Sequence, residues 1–255
     1  MKNTQNDKTS WGKVAPWYNK LVGNSGHYYH ERVIFPSLKK LYQPKNGDHV
    51  LEVGCGQGVY GRLLPAGVNY TGIDLSKELI AEAKKLDHSK SHSYFVADAT
   101  HALPVESDSY DLAISILALQ NMKEANAAIR EMARSVKVGG TIIVVVNHPA
   151  FRIPRQSSWE VDEKNKLEYR RINRYLSPLE VPINAHPGIK NSAVTWSYHQ
   201  PISYYTKALT DSNCSIISFE EWVSDKESQG KAKRMENRAR AEFPLFLTIV
   251  ARKNR

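Results

Sequence analysis

The segment Glu52-Val53-Gly54-Cys55-Gly56-Gln57-Gly58 constrains this chain more than any other. A short apolar run, residues 49–53, predicts a strand that ends in the glycines. Residues 59–64 then predict a helix, which Pro65 closes. Glycine lets a ligand approach the backbone closely. A turn at a helix start also offers amide groups and a positive dipole end. The turn alone is ambiguous. Gly56-Gln57-Gly58-Val59-Tyr60-Gly61 also satisfies the dinucleotide pattern G-x-G-x-x-G.

The rest of the chain supplies the context. Residues 69–73 predict a second strand with Asp74 at its carboxyl end. Ser76 is a suitable helix cap ahead of Leu79, Ile80, Ala83 and Leu86, which keep helical spacing. Residues 93–97 predict a third strand, ended by Asp98. Residues 110–117 read as a buried parallel strand, residues 123–136 as a helix, and Gly139-Gly140 as a turn into a strand at 141–146. Strands alternating with helices predict a doubly wound parallel sheet, with its ligand crevice along the strand carboxyl ends.

Three acids near that edge bear on the cofactor, although Asp74 alone fits a dinucleotide equally well. Glu52 suits an ammonium group and would repel a pyrophosphate. Asp74 suits ribose hydroxyls, and Asp98 suits the exocyclic amine of adenine. Together, Leu51-Glu52-Val53-Gly54-Cys55-Gly56-Gln57-Gly58, Gly72-Ile73-Asp74-Leu75-Ser76, Val96-Ala97-Asp98-Ala99, Tyr110-Asp111-Leu112-Ala113-Ile114-Ser115 and Val138-Gly139-Gly140-Thr141-Ile142 resemble the motif series of class I S-adenosylmethionine-dependent methyltransferases, in particular the type 11 branch that acts on small molecules. The resemblance covers about residues 50–146. It implies a Rossmann-like α/β sheet of seven strands with the last one antiparallel, residues 244–251 pairing with 215–222. It implies S-adenosyl-L-methionine as cofactor, held by Glu52, Gly54, Cys55, Gly56, Gly58, Asp74, Leu75, Asp98 and Ala99. Trp17-Tyr18-Asn19-Lys20-Leu21 resembles the aromatic helix that covers the cofactor in such enzymes, so Tyr18 joins the set.

Outside the motif region, residues 1–10 read as a disordered tail and 11–255 as one domain. Within it, residues 11–45 form a helical cover broken by Pro16 and Pro36. Residues 147–200, rich in proline and aromatics, form a lid with short helices of its own. A methyl acceptor that must lose a proton benefits from a base. His148, directly after the fifth strand, is the first candidate, and His30 on the cover is the second. Arg152, Arg155, Arg170, Arg171 and Arg174 could grip a carboxylate or phosphate, and Trp159, Tyr169 and Tyr175 could line an aromatic pocket.

The expected partner is therefore an anionic or aromatic small molecule. A net charge of +9 leaves RNA or protein as an alternative acceptor. The planar-amine element Asn/Asp-Pro-Pro-aromatic is absent after the fourth strand, where the chain reads Leu117-Ala118-Leu119-Gln120-Asn121. A non-catalytic cofactor-binding protein is a further alternative. The two cysteines, Cys55 and Cys214, form no metal-ligand pattern, so no metal is expected. No targeting or membrane-spanning stretch is visible, and the expected location is cytoplasmic.

Overall fold

The computed structural model describes residues 11–184 and 193–255. The predicted tail, residues 1–10, and lid residues 185–192 lie outside them. The core is a seven-stranded sheet. It contains β1 (His49–Val53), β2 (Asn69–Asp74), β3 (His92–Val96), β4 (Tyr110–Ile116), β5 (Val136–Asn147), β10 (Cys214–Trp222) and β11 (Phe246–Lys253), ordered β10-β11-β5-β4-β1-β2-β3. β1 pairs in parallel with β2 and β4, β2 with β3, and β4 with β5. β11 runs antiparallel to both β5 and β10. The order reverses at β1, between β2 and β4. Doubly wound sheets open their ligand crevice at such a switch point.

Helices α1 (Ala15–Val22), α2 (Phe35–Leu41), α3 (Val59–Arg62), α4 (Lys77–Leu86), α5 (Ala125–Ser135), α6 (Ile202–Asp211) and α7 (Lys233–Glu242) accompany the sheet. Leu51, Val53, Ile142 and Val144 face one core layer with Ile129 and Met132 of α5. Val50, Leu112, Ile114 and Ile143 face the other, with Ile34, Leu38 and Ile80. The alternation follows from the two-residue period of a strand. Ser76 caps α4 as expected, accepting the Leu79 amide at 3.2 Å.

Two readings of the covering segments need correction. Pro16 occupies the first turn of α1 rather than breaking a helix, and Pro36 lies where a π-helical turn, His30–Ile34, runs into α2. A proline in a first turn loses no helical hydrogen bond, and the widened π turn accommodates the amide hydrogen that Pro36 lacks. The lid is built of strands, not helices. It forms two antiparallel hairpins, β6 (Ser157–Asp162) with β7 (Leu167–Ile172), and β8 (Leu179–Asn184) with β9 (Val194–His199). Asp162 accepts the Asn165 amide at 3.0 Å and helps turn the first hairpin. Among the described residues, no helix is long and apolar enough to cross a membrane.

Candidate active site

The glycine turn is stitched together by its own backbone. The Gly54 and Cys55 amides both donate to the Ile73 carbonyl, at 2.8 and 3.0 Å. The Gly58 amide donates to Cys55 O at 2.9 Å. The Gly56 amide donates to the Asp74 carboxylate, also at 2.9 Å. The expectation of several free amides is therefore corrected, and α3 has only four residues to lend a dipole. What the turn offers a ligand is a surface without side chains.

Its glycines serve different needs. Gly54 has φ +76°, and a Cβ there would lie 2.2 Å from Ala118 Cβ. Gly56 has φ +54°, and the three atoms nearest to a Cβ there all belong to Tyr18, starting 3.3 Å away. Gly58 packs on the Tyr94 ring, where a Cβ would come within 2.6 Å of the hydroxyl.

A crevice of about 1710 Å³ runs along the strand ends. Gly54, Gly56, Asp74, Leu75, Asp98 and Ala99 line it, and Tyr18, set against Gly56, lines it as well. Asp74 accepts amides from both sides, Gly56 on Oδ2 and Ser76 on Oδ1 at 2.8 Å, so the carboxylate is fixed. Burial pushes Asp74 up, and those amide bonds oppose the rise. Asp98 is fixed by the Thr100 amide (2.9 Å) and hydroxyl (2.7 Å).

Three residues of the expected cofactor set do not line this space. Gly58 lies under Tyr94, as above. Cys55 is buried and its thiol faces the Gly56 carbonyl at 3.6 Å. Glu52 is only 4% exposed and accepts a hydrogen bond from the Tyr70 hydroxyl. It sits beneath the turn, because successive side chains of β1 leave on opposite faces.

Burial raises the Glu52 carboxyl to about 8; the Asp74 charge adds to this and the Tyr70 hydrogen bond opposes it. The folded state therefore holds a proton that the unfolded chain gives up in the ordinary carboxylate range. Stability is greatest below that range and is lost as pH rises toward 8. Glu52→Gln removes this dependence. Its stability relative to the parent should improve by a few kcal/mol between pH 4 and pH 9, on the order of 1.4 kcal/mol for each pH unit that separates the folded from the unfolded titration. Chemical denaturation across that range measures it, and parallel curves for the two proteins would refute the buried-acid assignment.

Residues that carry no motif tie the cover down. Gln57 donates to Gly23 O at 2.7 Å, and Arg62 donates to Asn24 O at 3.2 Å and to Gln57 O. The loop after α1 is thereby held to the glycine turn. Trp11 meets the Tyr18 ring edge-on at 5.6 Å. Burial, then the charges of Asp74 and Glu52, raise the Tyr18 phenol, which stays protonated.

Neither candidate base fits that role. His148 is 1% exposed and does not line the crevice. Its Nδ1 accepts the Ala150 amide at 3.2 Å, so Nε2 carries the proton and donates to Glu221 at 2.8 Å. It anchors the start of the lid to β10. His148→Ala should cost roughly 1–3 kcal/mol of stability by denaturation while cofactor affinity holds. A loss of affinity at constant stability would return it to the site.

His30 does line the crevice, stacked on Phe35 at 5.3 Å. Its Nδ1 accepts the His27 amide at 3.3 Å, and burial lowers its pKa to about 4. At neutral pH it presents an Nε2 donor, not a base. Among the described residues no group of three His, Cys, Asp or Glu side chains could hold a metal.

A parallel sheet reversing at a glycine turn, with fixed carboxylates at the ends of the two strands beyond it, defines an adenosyl-cofactor-binding α/β domain. Likeness to known proteins carries this one step further. Residues 51–144 match the methyltransferase-domain family. A malonyl-[acyl-carrier protein] O-methyltransferase from Enterobacter lignolyticus is 28% identical over 171 residues, 66% of this chain and 62% of that one. An uncharacterized protein from Methanocaldococcus jannaschii is 32% identical over 139 residues, 54% of this chain and 51% of the other. This chain thus spans about half to three fifths of the curated relatives it matches. The crystal structure of an S-adenosylmethionine-dependent methyltransferase from Mesorhizobium loti superposes with a TM-score of 0.67 at 26% identity, covering 86% of this chain and 97% of the other. Residues 51–144 thus carry a methyltransferase domain, and the chain as a whole is similar in fold and sequence to S-adenosylmethionine-dependent methyltransferases.

The family's cofactor suits what is here. A fixed carboxylate on β2 matches a ribose diol, and Gly54 and Gly56 bring no side chain to the crevice they line.

Proposed function

We propose that this protein transfers a methyl group from S-adenosylmethionine to a small-molecule acceptor. The covering segments along the crevice carry the reading. Tyr18 of the cover and Thr195, Ser197 and Tyr198 of hairpin β8–β9 line the same crevice as the glycine turn, so the acceptor's space is a groove walled by the cover and the lid.

When bound, the cofactor would supply an electrophilic methyl group on a sulfonium; in-line attack by the acceptor would form the bond to the methyl carbon as the C–S bond breaks, with S-adenosylhomocysteine as the leaving group. Such a reaction draws much of its rate from positioning. Asp74 fixes the ribose end, and Asp98 the adenine end. Tyr18, protonated over Gly56, screens the methionine end from water. Leu75 and Ala99 supply apolar walls for the adenine ring. His30 offers a neutral Nε2–H to the acceptor. Fixed groups of this kind need no rearrangement during the displacement.

Tritium from the labelled methyl of S-adenosylmethionine, incubated with the protein and a fractionated cell extract, tests the acceptor class. Counts are expected in the low-molecular-weight fraction. Counts confined to RNA or protein would reject a small-molecule acceptor, and counts in no fraction would favour a non-catalytic binding protein.

A further inference from the structure

Several cations line the lid end of the crevice, and most are already engaged. Arg170 donates to Phe151 O from Nε (3.0 Å) and Nη2 (2.6 Å), donates to Ser157 Oγ (2.9 Å), and stands 4.8 Å from the Trp159 ring centre. Arg155 donates to Pro182 O at 2.8 Å and joins the two hairpins. Lys123 pairs with Glu180 at 3.7 Å.

Arg152 differs. It lines the crevice, yet among the described residues no hydrogen bond or ion pair engages its guanidinium. The groups that act on it electrostatically are the Tyr29 phenol and its like-charged neighbour Arg170. Two guanidinium groups held close without a shared anion repel one another.

Arg152 also borders a second space. A slot of about 30 Å³ adjoins the crevice, and Gln120, Asn147, Ser197 and Tyr198 line both spaces together with Arg152. Gln120 donates from Nε2 to Leu117 O at 2.9 Å, which fixes its amide. Its Oε1 is buried with no donor. A buried acceptor left unpaired is unfavourable, and a ligand O–H or N–H would satisfy it. The strand ends therefore present an unpaired cation and an unpaired acceptor beside one slot.

We propose that this slot receives a carboxylate of the methyl acceptor, held bidentately by Arg152, while a hydroxyl or amide N–H of the same molecule donates to Gln120 Oε1. The assignment rests on the methyltransferase reading and names its substrate class. An oxygen-sized atom needs ~10–15 Å³ of such space, so the slot holds two. That matches a carboxylate and is short for the three free oxygens of a phosphate ester. The planar guanidinium fork matches the same planar pair of oxygens.

The test uses protein loaded with S-adenosylhomocysteine and titrated calorimetrically with malonate, and separately with inorganic phosphate. Malonate is expected to bind, and phosphate to bind at least tenfold more weakly. Arg152→Gln should weaken malonate about tenfold or more. Arg152→Lys, which keeps the charge without the fork, should fall between. Both variants should hold S-adenosylhomocysteine as tightly as the parent. Equal malonate affinity in the parent and Arg152→Gln, phosphate binding as tight as malonate, or no malonate binding at millimolar concentration would overturn the carboxylate subsite. Failure of the parent to bind S-adenosylhomocysteine would overturn the methyltransferase reading itself.

Discussion

Gly56→Val is expected to abolish S-adenosylmethionine binding, with the circular dichroism of the sheet retained. Two independent effects converge at this position. The residue adopts φ +54°, a region that β-branched side chains avoid, at a cost of about 1–2 kcal/mol. Its added atoms would enter the space between the turn and Tyr18, where the Cβ alone comes within 3.3 Å of the hydroxyl. The valine branches would displace Tyr18 or extend into the crevice that Gly56 and Tyr18 both line. Gly56→Ala separates the effects, because it carries most of the backbone strain with less of the bulk, and should show intermediate affinity. Binding by the valine variant within threefold of the parent would mean that the ligand does not lie on the turn.

Asp74→Ala should weaken S-adenosylmethionine by more than tenfold, or about 1.4 kcal/mol and upward. The carboxylate has two tasks. It accepts the Gly56 and Ser76 amides, which joins the glycine turn to the start of α4. Its remaining lone pairs face the crevice, where they can accept from a ribose diol. Alanine removes the ligand contact and also leaves two amides without their acceptor. Asp74→Asn retains one acceptor oxygen and should restore part of the loop's stability while affinity stays low, since its amide donates where the diol also donates. Calorimetry and thermal denaturation on the same samples separate the tasks. Unchanged affinity in both variants would remove Asp74 from the cofactor site.

The sheet and the placement of its acids were legible because they rest on strong local signals. The strands, Asp74 and Asp98 fall where the alternating pattern requires, and the crevice follows from topology, whereas Gly139 and Gly140, expected as a turn, lie inside β5. What escaped was decided by tertiary contacts. A carboxylate two residues before Gly54 reads as crevice-facing, yet β1 aims Glu52 at the Tyr70 hydroxyl. His148 has a suitable address after β5, but its ring is consumed by Glu221 and Ala150. The lid misled because its strands are short and its proline-rich composition masks their alternation. Trp159 and Val161 share one face of β6, and Leu167 and Tyr169 share one face of β7, a two-residue period lost among turn residues. Gln57 and Arg62 carry no motif signal as cover anchors, because their partners are backbone carbonyls more than thirty residues away.

The central claim is that an adenosyl sulfonium lies on the bare face of the glycine turn, with its ribose at Asp74. A crystal structure of the protein soaked with S-adenosylhomocysteine measures this directly. The account predicts density across Gly54 and Gly56, both ribose hydroxyls within hydrogen-bond distance of the Asp74 carboxylate, and the adenine amine at Asp98. Ligand density elsewhere, or a ribose turned away from Asp74, would contradict it.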